Sequence, residues 1–423
     1  MKVLVIGSGG REHSIIKALK KSERITKIFC APGNGGIGFD AECVKIKAVD
    51  VAAVTNFAVQ QKIDYVVVAP DDPLAIGMVD ALEARGIRCF GPNKAAARIE
   101  SSKVFSKNLM KKYGIPTAAY ESFSDPQSAL NHVKSNSVSF PLVIKADGLA
   151  LGKGVIIAET KGQAVEAVTS IMVEKKFGDS GCNLVIEEFL TGPEVTVLAF
   201  TDGKTIVPMV SSMDHKRAYD GNIGPNTGGM GVIAPNPHYT REIADICEKT
   251  IFTPTIRAMR EEGCPFKGCL YFGLMLTPSG PMVIEYNCRF GDPEAQAVLQ
   301  LLNTCLFDIM EAVTDERLES IKIDWSQDCS ACIVLASGGY PVSYKTGFEI
   351  NSLDSGGGAK NSDVVIYHAG TEFKNGTFFT AGGRVLGVTA TGKTNRLALE
   401  SAYKIAENIN FEGKHYRKDI GTY

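Results

Sequence analysis

Short apolar runs alternate with helical periodicity through the first hundred residues. Val3-Leu4-Val5-Ile6 has no polar position, which predicts a buried strand, and it ends in Gly7-Ser8-Gly9-Gly10. From Arg11 onward Ile15, Ile16 and Leu19 recur at helical spacing. Tyr65 to Ala69 is a second apolar run, and Leu74 to Arg85 predicts a second helix. This βαβ rhythm over residues 1–101 predicts an α/β unit with a doubly wound parallel sheet.

The pattern then loosens. Two helical stretches, Lys94 to Ser101 and Lys103 to Tyr113, end at Gly114-Ile115-Pro116. Strands at Leu142–Ala146 and Val155–Ala158 flank a glycine-rich loop, predicting a hairpin flap in a small α+β lid over about 118–190. Leu184 to Leu190 reads as a strand that turns at Thr191-Gly192-Pro193 and leaves as another. Residues 240–262 have helical period. Leu270 to Leu276 and Pro281 to Asn287 form a predicted hairpin about Ser279-Gly280. These pieces, 102–324, make a second unit. Residues 325–423 read as an α+β cap of short strands, glycine turns and a last helix, Asn395 to Asn408.

The polar exceptions carry the chemistry. Strand alternation puts Val283, Glu285, Asn287 and Arg289 on one face, and Met282, Ile284 and Tyr286 on the other. A carboxylate and an amide oxygen two residues apart are hard ligands suited to Mg²⁺, and Arg289 can neutralise a phosphoryl group beside it. Asp292-Pro293 reads as an N-cap and first helical residue. Lys145 interrupts a buried-type strand, where an unpaired charge is costly, and Lys153 sits in the flap. Lys103 and Lys107, four apart on one helix face, read as a solvated pair. The first glycine turn offers backbone N–H groups to an anion, but Glu12 fills the sixth position of GxGxxG, which breaks the dinucleotide fingerprint. Asn34 and the Asp71 region leave the same sheet edge, where ligands collect. Asp72, before Pro73, reads as a helix cap.

Composition narrows the class. With 423 residues the chain suggests about three domains. A formal charge of -2 gives no electrostatic case for nucleic acid or an anionic membrane. No apolar run is long enough to span a bilayer, and nothing at the start resembles a signal peptide. Eleven scattered cysteines suit reduced thiols in the cytosol, and the lone CxxC, Cys329 and Cys332, reads as two packed thiols rather than zinc.

In order along the chain stand GSGGREH, APGN, KADGLALGKGV, EEFLTGPE, DHKR, PNTGGMG, EYNCRFGDPEAQ and GGRVLGV. With these motifs the chain resembles the ATP-grasp ligases, and most closely the phosphoribosylamine–glycine ligase family, over nearly its whole length. The resemblance implies a two-lobed core with a small lid. It also implies a cytosolic, monofunctional enzyme, a monomer or weak homodimer, taking ATP, glycine and 5-phosphoribosylamine with Mg²⁺ or Mn²⁺. By motif, Lys103, Lys145 and Lys153 would contact ATP phosphates. Glu187, Glu188, Phe189 and Leu190 would hold adenine, and Glu194 the ribose. Arg217 and Asn226 would belong to the nucleotide site, and Glu285 and Asn287 would ligate the metal. Arg289, Asp292 and Lys145 would serve the chemistry. Gly9, Gly10, Arg11, Glu12, Asn34, Asp71, Asp214, Arg289 and Asp292 would meet the other substrates. The chain departs from the family where Ala69-Pro70-Asp71 replaces Gly-Pro-Glu, and where Leu270 to Leu276 lacks an acid for a second metal ion. The alternatives are a ligase for another amino acid, a nucleotide-binding regulator and a dinucleotide-dependent dehydrogenase.

Overall fold

The structure, a computed structural model, describes residues 1–149, 154–359 and 363–422. Strand Lys2–Gly7 lies at the centre of a five-stranded parallel sheet, flanked by Lys27–Pro32 and Tyr65–Val68, with Glu42–Cys43 and Arg88–Phe90 at the edges. Its unbroken apolar run is explained by burial on both faces: Leu4 and Ile6 enter one core, Val3 and Val5 another. The strand order reverses between Lys2–Gly7 and Tyr65–Val68. The loops that leave their carboxyl ends, at 7–10 and 69–72, therefore part to open a crevice.

The helix expected over Leu74 to Arg85 is two helices, Asp71–Ala75 and Met78–Glu83. Gly77 between them takes φ +92, a left-handed turn that glycine adopts without strain. Asp72 lies inside the first of these helices, whose N-cap is Pro70, so it is no cap. The helix expected over 240–262 runs as Arg241–Cys247, a π-helical turn, and Thr253–Glu261.

Two antiparallel sheets enclose the central cleft. One orders strands Ile206–Pro208, Glu194–Asp202, Lys267–Thr277 and Gly280–Asn287. The other orders Tyr120–Phe123, Leu184–Glu188, Leu142–Ala146 and Val155–Ala158, over its own core of residues such as Ile144, Ala164 and Ile171. The strand Gly280–Asn287 is not regular. Gly273 faces Glu285, yet Leu274 faces Val283, so Ile284 is the extra residue of a bulge. The bulge reverses the alternation, and Val283 and Tyr286 enter the same apolar core. Val283 therefore does not share a face with Glu285, as simple alternation predicts.

The last sheet orders Met213–Asp214, Gly231–Ala234, Cys329–Ala336, Arg384–Gly392 and Val365–His368. Helix Asn395–Asn408 packs on it through Ala398, Ala402 and Ala406, four residues apart and fully buried. Two strands of this sheet come from the middle of the chain, which ties the DHKR and PNTGGMG segments to the C-terminal residues. All eleven cysteines are free, and burial pushes the Cys332 thiol up to about 12. No described helix is long and apolar enough to cross a membrane.

Candidate active site

The bulged strand delivers Glu285 and Asn287 to the cleft, and Arg289 follows at its end. Burial alone would raise the Glu285 carboxyl. The cations Lys216, Lys103, Lys145 and Arg289 overcome that and hold it at about 2, so it is anionic at neutral pH. The Lys216 ammonium lies 3.8 Å from it and also reaches Glu194 at 3.5 Å. Arg289 donates from Nη2 to Glu100 Oε1 at 3.2 Å and to Asn287 Oδ1 at 3.4 Å, while its buried Nε has no partner among the described residues. Glu100 also accepts the Cys288 N–H at 2.7 Å. This buried acid, on helix Lys94–Ser101, fixes both the strand end and the guanidinium. Asp71 joins the group: against burial, Arg289 and Arg11 hold its carboxyl below the usual range.

On the lid side, Lys145 Nζ lies 3.0 Å from Glu187 Oε1 and donates to the Ile284 carbonyl at 3.0 Å. Lys107, expected in solvent, is 2% exposed. Its ammonium lies 2.9 Å from Glu187 Oε2 and donates to Thr117 Oγ1 at 2.7 Å, and Thr117 donates to the Val283 carbonyl at 2.7 Å. Two lysines thus grip one carboxylate and tie it to consecutive carbonyls at the bulge. Burial lowers the Lys107 pKa to about 8, with Glu187 opposing. Lys103 opens the helix capped by Ser102 and donates to the Glu100 carbonyl at 3.1 Å. Lys153 lies outside the described residues. Glu188 accepts from the Ala119 N–H at 2.9 Å, and Phe189 is exposed beside it. Arg217 and Asn226 pair with each other on a small hairpin, where Arg217 donates to the Gly224 carbonyl at 2.8 Å, rather than joining the lysine cluster.

Across the crevice, the first helix, Gly10–Leu19, docks against the RFGDPE loop. A Cβ on Gly10 would fall 2.5 Å from Gln296 Nε2, and one on Gly9 would fall 3.1 Å from Asp292 Oδ2. The glycines therefore allow this close approach. Glu12 accepts from the Gly9 N–H and, at 2.6 Å, from Arg11 Nε. Arg11 Nη1 donates to the Phe290 carbonyl at 3.2 Å. Asn34 spends its whole amide on the protein: Nδ2 donates to the Ser8 and His368 carbonyls, both at 2.8 Å, and Oδ1 accepts from Gly36 and Ile37.

Asp292 is not the helix cap that Asp-Pro suggests. The helix starts at Glu294, with Pro293 at the N-cap position. The Asp292 carboxylate instead accepts from Gln296 Nε2 at 2.8 Å and the Arg11 N–H at 3.3 Å, and pairs with Arg384 Nη2 at 3.3 Å. Burial opposes its ionisation, but Arg384 and Arg11 keep its pKa low. Asp214 is different. Burial and then Glu294 push its carboxyl well up, and its Oδ1 is enclosed with no hydrogen-bond partner among the described residues.

Sequence reasoning missed Lys107, Glu100, Lys216 and Arg384. Each is a charged residue in a locally ordinary setting, and only the tertiary fold turns it inward. Among the described residues no three His, Cys, Asp or Glu side chains converge to hold a metal ion. Glu285 and Asn287 do offer adjacent hard oxygens, one of them firmly anionic. That fits a cation which arrives with phosphate and water as its remaining ligands.

Family models match three successive parts of the chain. The phosphoribosylglycinamide synthetase N domain matches residues 1–100, its ATP-grasp (A) domain 101–295 and its C domain 330–423. A phosphoribosylamine–glycine ligase of Caldanaerobacter subterraneus subsp. tengcongensis is 47% identical over 422 residues, covering 100% of both chains. The trifunctional purine biosynthetic protein adenosine-3 of Gallus gallus is 48% identical over 425 residues, which are 99% of this chain and 42% of that longer one. The crystal structure of phosphoribosylamine–glycine ligase from Thermotoga maritima superposes with a TM-score of 0.85 at 33% identity, covering 99% of this chain and 100% of that one. Biotin carboxylase from Campylobacter jejuni, in its β-γ-ATP complex, superposes with a TM-score of 0.77 at 13% identity, covering 98% and 92%, a likeness of fold alone.

Proposed function

This chain belongs to the phosphoribosylglycinamide synthetase family, and from that premise we propose how its cleft runs the family reaction. Members are ATP-grasp ligases of purine biosynthesis that form a C–N bond. ATP drives the joining of glycine to 5-phosphoribosylamine, leaving ADP and phosphate. Enzymes of this type use ATP together with a divalent cation.

The γ-phosphoryl passes to the glycine carboxylate, a step that needs alignment and charge neutralisation rather than a protein nucleophile. Lys103, Lys145 and Lys153 take the ATP phosphates. Glu187 keeps Lys145 aimed, which leaves the adenine edge to the backbone of Glu188, Phe189 and Leu190, and the ribose to Glu194. Arg217 and Asn226 flank the nucleotide. Glu285 and Asn287 would hold Mg²⁺ or Mn²⁺, which would supply Lewis-acid neutralisation of the transferring group. Arg289 and Asp292 stand at the glycyl phosphate, and Asp214, with its unpartnered oxygen, faces the glycine ammonium. Gly9, Gly10, Arg11, Glu12 and Asp71 form the ribosylamine side, and Asn34, its amide committed to Ser8, His368, Gly36 and Ile37, shapes the loop beside them. There the free amine attacks the acyl carbon. The C–N bond forms as the C–O bond to phosphate breaks, and the amine proton leaves to solvent. The lid sheet that carries Lys145 shields the acyl phosphate from water meanwhile. The reaction takes place in the cytosol, with the site made by one chain.

The observation that carries this reading is the bulge. It turns Glu285 into a cluster of cations while its own Ile284 carbonyl is tied to Lys145. Phosphate release that requires glycine and the ribosylamine together is the expected result. Release at the same rate with alanine, or without ribosylamine, would refute it.

A further inference from the structure

Arg384 opens strand Arg384–Gly392 of the last sheet, far in sequence from the cleft. Its Nη1 donates to the Gly228 carbonyl and the Asp292 carbonyl, both at 2.6 Å, and to the Gly229 carbonyl at 3.4 Å. Nη2 pairs with Asp292 Oδ1 at 3.3 Å. One guanidinium therefore joins the PNTGGMG and RFGDPE loops. Both loops reach the half of the cleft remote from the lid. A Cβ at Gly229 would fall 2.5 Å from both Asp214 Oδ1 and Pro293 Cδ, which places these groups side by side. Asp292 in turn receives the Arg11 N–H from the first helix. Three distant parts of the chain meet at this carboxylate, and Arg384 is the cation paired directly with it. The phenol of Tyr340, from the same C-terminal unit, accepts the Gly228 N–H at 3.2 Å and braces the loop a second time.

We propose that Arg384 is a positioning residue for the amino-acid and ribosylamine half of the site, holding Asp292 and the 228–229 loop in register from the C-terminal sheet. This rests on the assignment of that half in the proposed function. A planar fork with several donors suits three carbonyls and a carboxylate, and a lysine ammonium cannot span them in the same way. The lysine cluster of the nucleotide half, Lys145, Lys107 and Glu187, receives nothing from Arg384, and Asn226, ahead of the 228–229 loop, is held by its own pairing with Arg217. The two halves should therefore respond differently to its loss.

The test compares Arg384→Ala and Arg384→Lys with the wild-type full chain in steady-state kinetics for all three substrates. Misplacement of reacting groups by about 1 Å costs on the order of a hundredfold. Arg384→Ala should lose about that factor in kcat/KM for glycine and for ribosylamine, while the KM for ATP stays within about threefold. Added guanidinium at millimolar concentration should restore part of the loss, and an equal concentration of sodium chloride should not. Arg384→Lys should recover only a minor part. An Arg384→Ala enzyme with glycine kinetics near wild type overturns the proposal. So does an equal rise in the KM for ATP, or a loss that guanidinium fails to relieve. If wild type shows no glycine- and ribosylamine-dependent turnover, it is the functional reading that falls.

Discussion

Replacing Lys107 with methionine separates a buried clamp from a solvated lysine. Burial lowers the Lys107 pKa from 10.5 to about 8, so keeping it charged in the fold costs about 3 kcal/mol at neutral pH. Methionine fills much of the same volume and removes that cost. That cost already carries the pairing with Glu187 at 2.9 Å; the change also removes the bond to Thr117 at 2.7 Å, worth about 1.5–3 kcal/mol for a charged donor. Stability should therefore stay within about 1 kcal/mol of wild type, although a 2% exposed charge has been deleted. Function should not. Glu187 is left to Lys145 alone, and a triphosphate must then compete for Lys145 against an undivided carboxylate. One charge-assisted bond of about 1.5–3 kcal/mol corresponds to roughly a 10- to 100-fold rise in the KM for ATP. Thermal or urea unfolding at pH 7, together with ADP release against ATP concentration, measures both. An ATP KM within threefold of wild type, or a stability loss above about 3 kcal/mol, would refute the clamp.

Glu285→Ala should abolish turnover dependent on the divalent cation while circular dichroism stays unchanged; near-normal activity counts against the metal assignment. Arg11→Ala should raise the KM for ribosylamine at least about tenfold more than that for ATP, as one lost charge-assisted bond implies; equal rises would misplace the sugar-phosphate cradle. His215 accepts the Gly421 N–H at 3.0 Å, and burial lowers its pKa from 6.5 to about 4. The unfolded chain then binds the extra proton between those values. This group contributes no penalty above pH 6.5 and costs about 3 kcal/mol once pH has fallen through 4. Denaturant midpoints of His215→Gln should fall less steeply than wild type across that window, and parallel curves would exclude the linkage.

Much of the fold was legible because local pattern and burial agree. Val3 to Ile6 announces a strand covered on both sides, and the alanine stripe of Asn395–Asn408 is a helix face with its boundaries intact. Glu285, Asn287 and Arg289 were legible as polar exceptions in an apolar strand. The bulge at Ile284 was not, since no residue type there demands one, and simple alternation therefore puts Val283 on the wrong face. The pair Lys103 and Lys107 shows the limit of spacing. A shared helix face says nothing of what covers it, and an acid 80 residues later decides that Lys107 is inside. Asp292 obeys the local grammar of a cap, yet Arg384 and Gln296 claim its oxygens. Arg384 itself could not be assigned, because its partners belong to two loops far upstream.

The sharing of one sheet between the middle and the end of the chain has a consequence for synthesis. Gly231–Ala234 leaves the ribosome with the ladder side meant for Cys329–Ala336 still untranslated, roughly 95 residues ahead by the numbering from Ala234 to Cys329. During that interval it offers bare amides and carbonyls to any passing strand. The enzyme's most hazardous moment is thus late in translation, and a nascent chain stalled near residue 325 should be a far better chaperone client than one stalled near 100.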